Sequence, residues 1–184
     1  KIKISDITLK SGSNTVAILG AGNFSKSQIL PELSKNNINI KYIISNSGIS
    51  GNELAKKYKI NFNSTDINEV LIDKEVNTLI ISTRHDSHAK YVIEALENNK
   101  KVYVEKPLAI NQKELLDIIG TIKKIKNSSI MVGFNRRFSE HLKVLRSQVD
   151  SNPSNIVMTM NAGQIPSDHW VHDPLIGGGR VIGE

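Results

Sequence analysis

The chain has 184 residues, 39% of them hydrophobic and 23% charged, with a formal charge of +6 and no cysteine. That length suits one large domain, or one domain and part of another, and the lack of cysteine excludes disulfides, zinc thiolates and cysteine nucleophiles. No apolar run approaches the ~20 residues that span a bilayer and no segment has the regions of a signal peptide, so no membrane partner and a cytoplasmic location are expected. A basic balance suits anionic ligands, but no basic stripe interleaves with aromatics, so nucleic acid is not an expected partner.

Lys1 to Asn14 reads as a linker or tail, because Ser11-Gly12-Ser13-Asn14 is linker-like. Starting at Lys1 without methionine and stopping at Glu184 in a glycine-rich stretch, the chain reads as a piece of a longer polypeptide. Val16–Leu19 is the first strand, and it runs straight into Gly20-Ala21-Gly22-Asn23-Phe24. Ser25–Lys35 is the first helix, with Pro31 bending it. Ile40–Ile44 is a strand, and Gly51–Tyr58 and Asp66–Leu71 are helices, the latter with Thr65 as its cap. Thr78–Ser82 is a strand, and Asp86 or Ser87 caps the helix that runs to Asn98. Val102–Val104 is a short strand, and Asn111 with Glu114 forms a capping box for the next helix. Ile130–Gly133 is a strand and Glu140–Val149 a helix. Asn152-Pro153-Ser154-Asn155 is a break, and Ile156–Met160 has strand character. Repeated strand–helix units predict an α/β fold, a doubly wound parallel sheet of the Rossmann type. It should occupy 15–152, and 153–184 should begin an incomplete α+β domain for substrate and oligomerisation.

Ligands of such sheets bind beyond the carboxyl ends of the strands. Gly20 allows the turn there, and Gly22 lets the backbone approach a pyrophosphate. Asn23 and Phe24 open the helix whose N–H groups would hold the phosphates. Ser25, in the third glycine position of the fingerprint, is small enough for close helix–strand packing. Ser45-Asn46-Ser47 follows the next strand, where a carboxylate would hold the ribose 2′-hydroxyl of NAD. No carboxylate stands there and no arginine either, so the cofactor is NAD(P) with a slight lean to NADP. Thr83-Arg84-His85-Asp86-Ser87-His88 holds two histidines and an arginine, more than a helix cap requires, and should line the cofactor. It lacks the spacing of a metal site. In Glu105-Lys106-Pro107 a lysine ends a buried strand, where desolvation favours its neutral form and suits acid–base work. A salt bridge followed by a turn explains that tripeptide equally well, and a cis bond at Pro107 is compatible with it.

On these residues the chain resembles the glucose–fructose oxidoreductase/inositol dehydrogenase family of NAD(P)-dependent oxidoreductases. The matching stretches are Gly20 to Phe24, Ser82-Thr83 with His88, Val104 to Leu108, Gly133-Phe134-Asn135-Arg136-Arg137-Phe138 and Gly177-Gly178-Gly179. The 83–88 loop, Asn161-Ala162-Gly163 and Asp168-His169-Trp170 resemble a narrower branch, often fused behind a zinc-type alcohol dehydrogenase-like domain. The resemblance implies that Lys106 sits beside the nicotinamide and the substrate hydroxyl, with Glu105 on the nicotinamide ribose. It implies that Thr83 and His88 lie in the loop beside the cofactor, that Arg137 lies near cofactor and substrate domain, and that His169 and Trp170 lie at the mouth of the site.

Two departures accompany it. Thr83-Arg84-His85 stands for the usual Thr-Pro-Asn, and Gly183 stands where the family has its active-site aspartate. The family's catalytic histidine would fall just beyond Glu184. The expected activity is hydride transfer between a nicotinamide and a sugar, cyclitol or nucleotide-sugar hydroxyl or carbonyl, in a homo-oligomeric full-length protein, this piece alone being inactive. The alternative is a non-catalytic NAD(P)-binding sensor on the same scaffold.

Overall fold

The computed structural model describes residues 1–8, 14–149, 155, 157–159, 161 and 163–183. Its centre is β2 (Thr15–Leu19), five buried residues that read as the first strand. β3 (Asn39–Ile44) and β5 (Thr78–Ile81) lie parallel on either side of it. Beyond β3 come β4 (Phe62–Ser64), parallel, and β1 (Ile2–Lys3), antiparallel. Beyond β5 come β6 (Lys101–Glu105) and β7 (Ile130–Gly133), both parallel. The seven-stranded order is β1-β4-β3-β2-β5-β6-β7. The chain winds outward from β2 to β4, then crosses to β5 and winds the other way, which is the doubly wound topology.

Alternation along β2 builds two cores. Val16 and Ile18 point to the side of Leu30, Leu54 and Ala55, whereas Ala17 and Leu19 point to the side of Val92, Ala95 and Ile118. Helices α1 (Leu30–Lys35) and α2 (Ile49–Lys57) supply the first layer, and α4 (His88–Glu97) and α5 (Gln112–Lys124) the second. Burial of this apolar surface on both faces is the main stabilising term.

Several expectations change locally. The linker reading fails at Ile2–Lys3, which is strand and pairs with Asn63 and Phe62. Asn61 fixes that segment, since Ile4 N–H donates to its carbonyl at 2.8 Å and its side chain donates to the carbonyl of Ile7 at 2.8 Å. Residues 9–13 lie outside the described residues. The first helix has a π turn, Ser25–Ile29, before α1. Leu30 N–H bonds back five residues to Ser25, and Pro31, which has no N–H to give, begins the α portion.

The caps also differ. In α3 (Asn68–Leu71) Asp66, not Thr65, accepts from Asn68 N–H at 2.9 Å. Neither Asp86 nor Ser87 caps α4, which is entered through a 3-10 turn, His85–Ser87. In α5 the Asn111 side chain accepts from Glu114 N–H at 2.9 Å, and Glu114 reaches the N–H of Ile110 at 2.9 Å. Helix α6 (Glu140–Gln148) follows β7 with Ser139 as cap.

Of the expected break, 152–154 lie outside the described residues, as do two ends of the expected strand, 156 and 160; 157–159 carry no strand. Residues 163–183 fold back over the carboxyl edge of the sheet through a 3-10 turn, Trp170–His172, and α7 (Arg180–Gly183).

Candidate functional site

A cleft of about 1000 Å³ opens beyond the carboxyl ends of β2, β3, β5 and β6. It lies where the winding reverses, between β2 and β5. Its walls are the turn from Gly20 to Phe24, Ser45-Asn46-Ser47, the loop from Ser82 to His88, Glu105 and Lys106, with His169 and Trp170 at the rim. Of the residues expected to touch cofactor or substrate, Arg137 is the one that lies outside this lining. That side chain is exposed on the Asn135–Phe138 turn, its guanidinium 5.3 Å from the Phe138 ring.

The two turn glycines do different work. Gly20 has φ +110°, and a Cβ there would lie 2.6 Å from the Ser82 carbonyl oxygen. Both the backbone conformation and the closeness of β5 demand glycine. Around Gly22 a Cβ would meet nothing within 4 Å. The space above it belongs to the cleft, as close approach of a ligand to this backbone requires. Ser25 does more than stay small. It is fully buried, its hydroxyl donates to the Gly20 carbonyl at 2.7 Å, and it lies 2.6 Å from the Ser82 hydroxyl.

At the next strand end Ser45 lines the cleft, while its hydroxyl is buried on the side of Gly51 without a partner among the described residues. An orphaned buried hydroxyl costs about 1–3 kcal/mol unless something bonds to it. Among the described residues no arginine lines this end of the cleft.

The loop after β5 is tied internally. The Ser87 hydroxyl donates to the Arg84 carbonyl at 2.8 Å and meets the Thr83 hydroxyl at 2.7 Å. His88 is fully buried, with Nδ1 2.7 Å from the Pro107 carbonyl and Nε2 3.1 Å from that of Thr83. Both ring nitrogens thus face backbone, and the imidazole pins the β5 loop to the turn carrying Lys106. His85 is half-buried, its Nδ1 2.8 Å from the Gly177 carbonyl. Burial, with the nearby charges of His88 and Lys106, holds its pKa below the usual histidine range against the raising effect of that hydrogen bond.

At the end of β6 the Lys106–Pro107 bond is cis, and Lys106 Nζ donates to the Gly183 carbonyl. The Glu105 carboxylate accepts from the Tyr103 hydroxyl at 2.5 Å. Burial, together with this bond, pushes the Tyr103 phenol well up. A Cβ at Gly133 would lie 2.6 Å from the same carboxylate oxygen, so that glycine exists to seat Glu105.

The returning segment closes the site. Asp86 N–H donates to the Ile176 carbonyl at 3.0 Å. The Trp170 ring stands edge-on to His85 at 4.8 Å between centroids, and Arg84 lies 5.8 Å over Trp170. Tyr91 and Ser50 also line the cleft and escaped the sequence reading. Tyr91 had one signal: it lies three residues after His88 on α4, hence on the same helix face.

A glycine turn under a helix start, an open space above Gly22 and a strand-switch cleft together define a dinucleotide-binding site of the Rossmann class. The family model GFO_IDH_MocA, described as an oxidoreductase family with an NAD-binding Rossmann fold, matches residues 14–134. This chain belongs to that family.

An uncharacterized oxidoreductase, YrbE of Bacillus subtilis, is 25% identical over 172 residues, 85% of this chain and 50% of its own length. The scyllo-inositol 2-dehydrogenase (NAD(+)) of the same organism is 32% identical over 101 residues, 54% of this chain and 29% of its own. The chain therefore spans half or less of the length of these curated relatives. Among solved structures, the myo-inositol dehydrogenase of Lactobacillus casei in complex with NAD(H) and myo-inositol superposes with a TM-score of 0.69 at 19% identity, covering 74% of this chain and 41% of that one. A point variant of a 3-ketoreductase from Actinomadura kijaniata, in complex with TDP-benzene and NADP, gives 0.73 at 16%, covering 93% and 54%. At those identities the likeness is one of fold. No helix among the described residues is long and apolar enough to cross a membrane.

Proposed function

We propose that this chain is the cofactor-binding part of an NAD(P)-dependent dehydrogenase acting on a CH–OH group of a sugar, cyclitol or nucleotide sugar. The observation that carries the reading is the gathering, in one cleft, of the glycine turn, the Thr83–His88 loop, Glu105 and Lys106. A nicotinamide bound here would supply the oxidant or reductant. The turn from Gly20 to Phe24 would hold the pyrophosphate on backbone N–H groups. Ser45 and Asn46 would meet the adenosine ribose, and their neutral character supports use of either cofactor, with a lean to NADP. Glu105, held by Tyr103, would orient the nicotinamide ribose. Lys106 would polarise the substrate hydroxyl or relay its proton, and His169 and Trp170 would border the substrate. The 184 residues alone should bind cofactor without turnover, the relatives being about twice as long or more. Self-association of the full-length protein and an upstream alcohol dehydrogenase-like domain remain proposals from the resemblance, as do the boundaries of 15–152 and 153–184.

One contact favours the sensor reading. Lys106 Nζ is engaged by the Gly183 carbonyl rather than standing free. Fluorescence titration with NADH and NADPH tests cofactor binding itself. The unmodified chain should bind both within about tenfold of each other, or about 1.4 kcal/mol, and Gly22→Val should bind neither. Equal binding by the two proteins would overturn the assignment.

A further inference from the structure

His85 is not explained by its place in a loop. Its Nδ1 lies 2.8 Å from the Gly177 carbonyl oxygen, which can only accept. Nδ1 therefore carries the proton, and in the neutral ring Nε2 keeps a lone pair. No described residue bonds to that nitrogen. The ring lines the cleft with Lys106 and is gripped on two further sides. Trp170 stands edge-on to it, and a Cβ at Gly183 would come within 3.2 Å of its Cε1. That same Gly183 accepts from Lys106 through its carbonyl. Residues 85, 106 and 183 thus form one cluster, in which the absence of a side chain at 183 leaves room for the imidazole.

We propose that His85 Nε2 is a proton acceptor of this site, working beside Lys106 on the substrate hydroxyl. The inference rests on the dehydrogenase reading above. In the oxidising direction the substrate O–H bond breaks and its proton bonds to Nε2. The C–H electron pair leaves as hydride to the oxidised nicotinamide. A carbonyl and a reduced nicotinamide result, and the imidazolium returns its proton to water. Reduction runs the same transfers backwards. The Gly177 carbonyl fixes the tautomer and steadies the imidazolium, the role a carboxylate or carbonyl plays for other catalytic histidines.

The charged surroundings agree. The groups facing His85 are Asp86 next to it, His88 on α4, Lys106 at the end of β6, and Arg84 and His169 against Trp170. Burial, His88 and Lys106 oppose protonation, and Asp86 favours it. The balance keeps the ring neutral at physiological pH, as a base must be.

The test is histidine 15N NMR on the 184-residue chain between pH 5 and 8.5, with modification by diethyl pyrocarbonate mapped by mass spectrometry. At pH 7.5 His85 should show protonated Nδ1 and bare Nε2, titrate below 6.5, and be modified at Nε2. A protonated Nε2, or an unreactive His85 where exposed His172 reacts, overturns the proposal. Parallel NADH titration separates the two readings: failure to bind sinks the dehydrogenase reading and leaves the tautomer result standing. In the native full-length protein, His85→Gln should lower kcat on a cyclitol panel by on the order of 10²-fold and remove the acidic limb of the kcat/KM profile. A profile unchanged by that substitution overturns the role.

Discussion

The two edges of the sheet are both polar, and they are built on opposite terms. At the amino edge the buried charged groups answer one another, although the Asn61 amide oxygen is buried there without a partner among the described residues. Lys41 Nζ lies 2.5 Å from Asp73 and 2.6 Å from Glu75, and the Tyr42 hydroxyl donates to Asp73 at 3.0 Å. Buried Lys100 donates to the carbonyls of Asp73 at 2.6 Å and Val76 at 2.9 Å. The Asn77 side chain accepts from Thr15 N–H at 3.1 Å. At the carboxyl edge the Ser45 hydroxyl and the Asn63 amide oxygen are buried without partners among the described residues, and Gly22 borders empty space. A charged network fixes one arrangement, whereas open space above a bare backbone is left for a ligand to fill. The same fold therefore holds itself together at one edge and keeps the other ready for a ligand.

Substitutions can break that contrast, the sharpest being in the glycine turn. Gly20→Val forces a branched side chain into a positive φ and against the Ser82 carbonyl, and should cost at least about 3 kcal/mol in chemical denaturation. Gly22→Val, two residues on, should leave the midpoint unchanged, since its Cβ meets nothing. Equal losses would mean that the carboxyl edge is as tightly packed as the amino edge. Asp73→Ala should cost about 2 kcal/mol, because it removes the acceptor of the buried Tyr42 hydroxyl and one of the two carboxylates that Lys41 meets, Glu75 remaining as the other.

Acid sharpens the comparison. At Asp73 burial alone would raise the pKa, but hydrogen bonds from Lys41, the Glu75 backbone and Tyr42 hold it below its usual 3.8. A depressed carboxylate stabilises above that value, and the gain is lost as pH falls through the folded pKa. His85 is depressed as well, relative to 6.5, so its contribution is complete above 6.5 and fades as pH drops through its lower folded value. Between roughly pH 6.5 and 4 hydrogen exchange should therefore rise at the 83–88 loop and 170–183 while the start of β3 stays protected. Simultaneous loosening would erase the distinction. The smallest effect belongs to Ser45→Ala, which removes an orphaned buried hydroxyl and should raise stability by about 1 kcal/mol.

Legibility in the sequence followed the same divide. Groups whose placement depends on a strand end, such as Gly20, Ser45, Thr83 and Lys106, were readable because a buried parallel strand delivers its next residues to one edge. Phe62–Ser64 was not read as a strand, since a strand with Asn63 and Ser64 buried lacks the apolar signature, and Ile2–Lys3 depends on pairing with it. The caps at 65 and 87 misled because Asp66 competes locally and a 3-10 turn precedes α4. Arg137 rested on resemblance alone, and the described fold leaves it at the surface outside the cleft. That His85 would nest against Gly183 required a contact across 98 positions of chain, which no local pattern encodes.

The antiparallel pairing of Ile2–Lys3 has a consequence for solubility. A sheet's outermost strand offers a row of unpaired amides that another molecule's strand can join, and short, charged edges discourage such growth. Here the vulnerable outer side of Phe62–Ser64 is covered by a two-residue strand that ends in Lys3 and is preceded by Lys1. Cutting the chain at Thr15, where the apolar pattern begins, would bare that row. What reads as a tail is the guard that keeps one sheet from becoming the seed of a larger one.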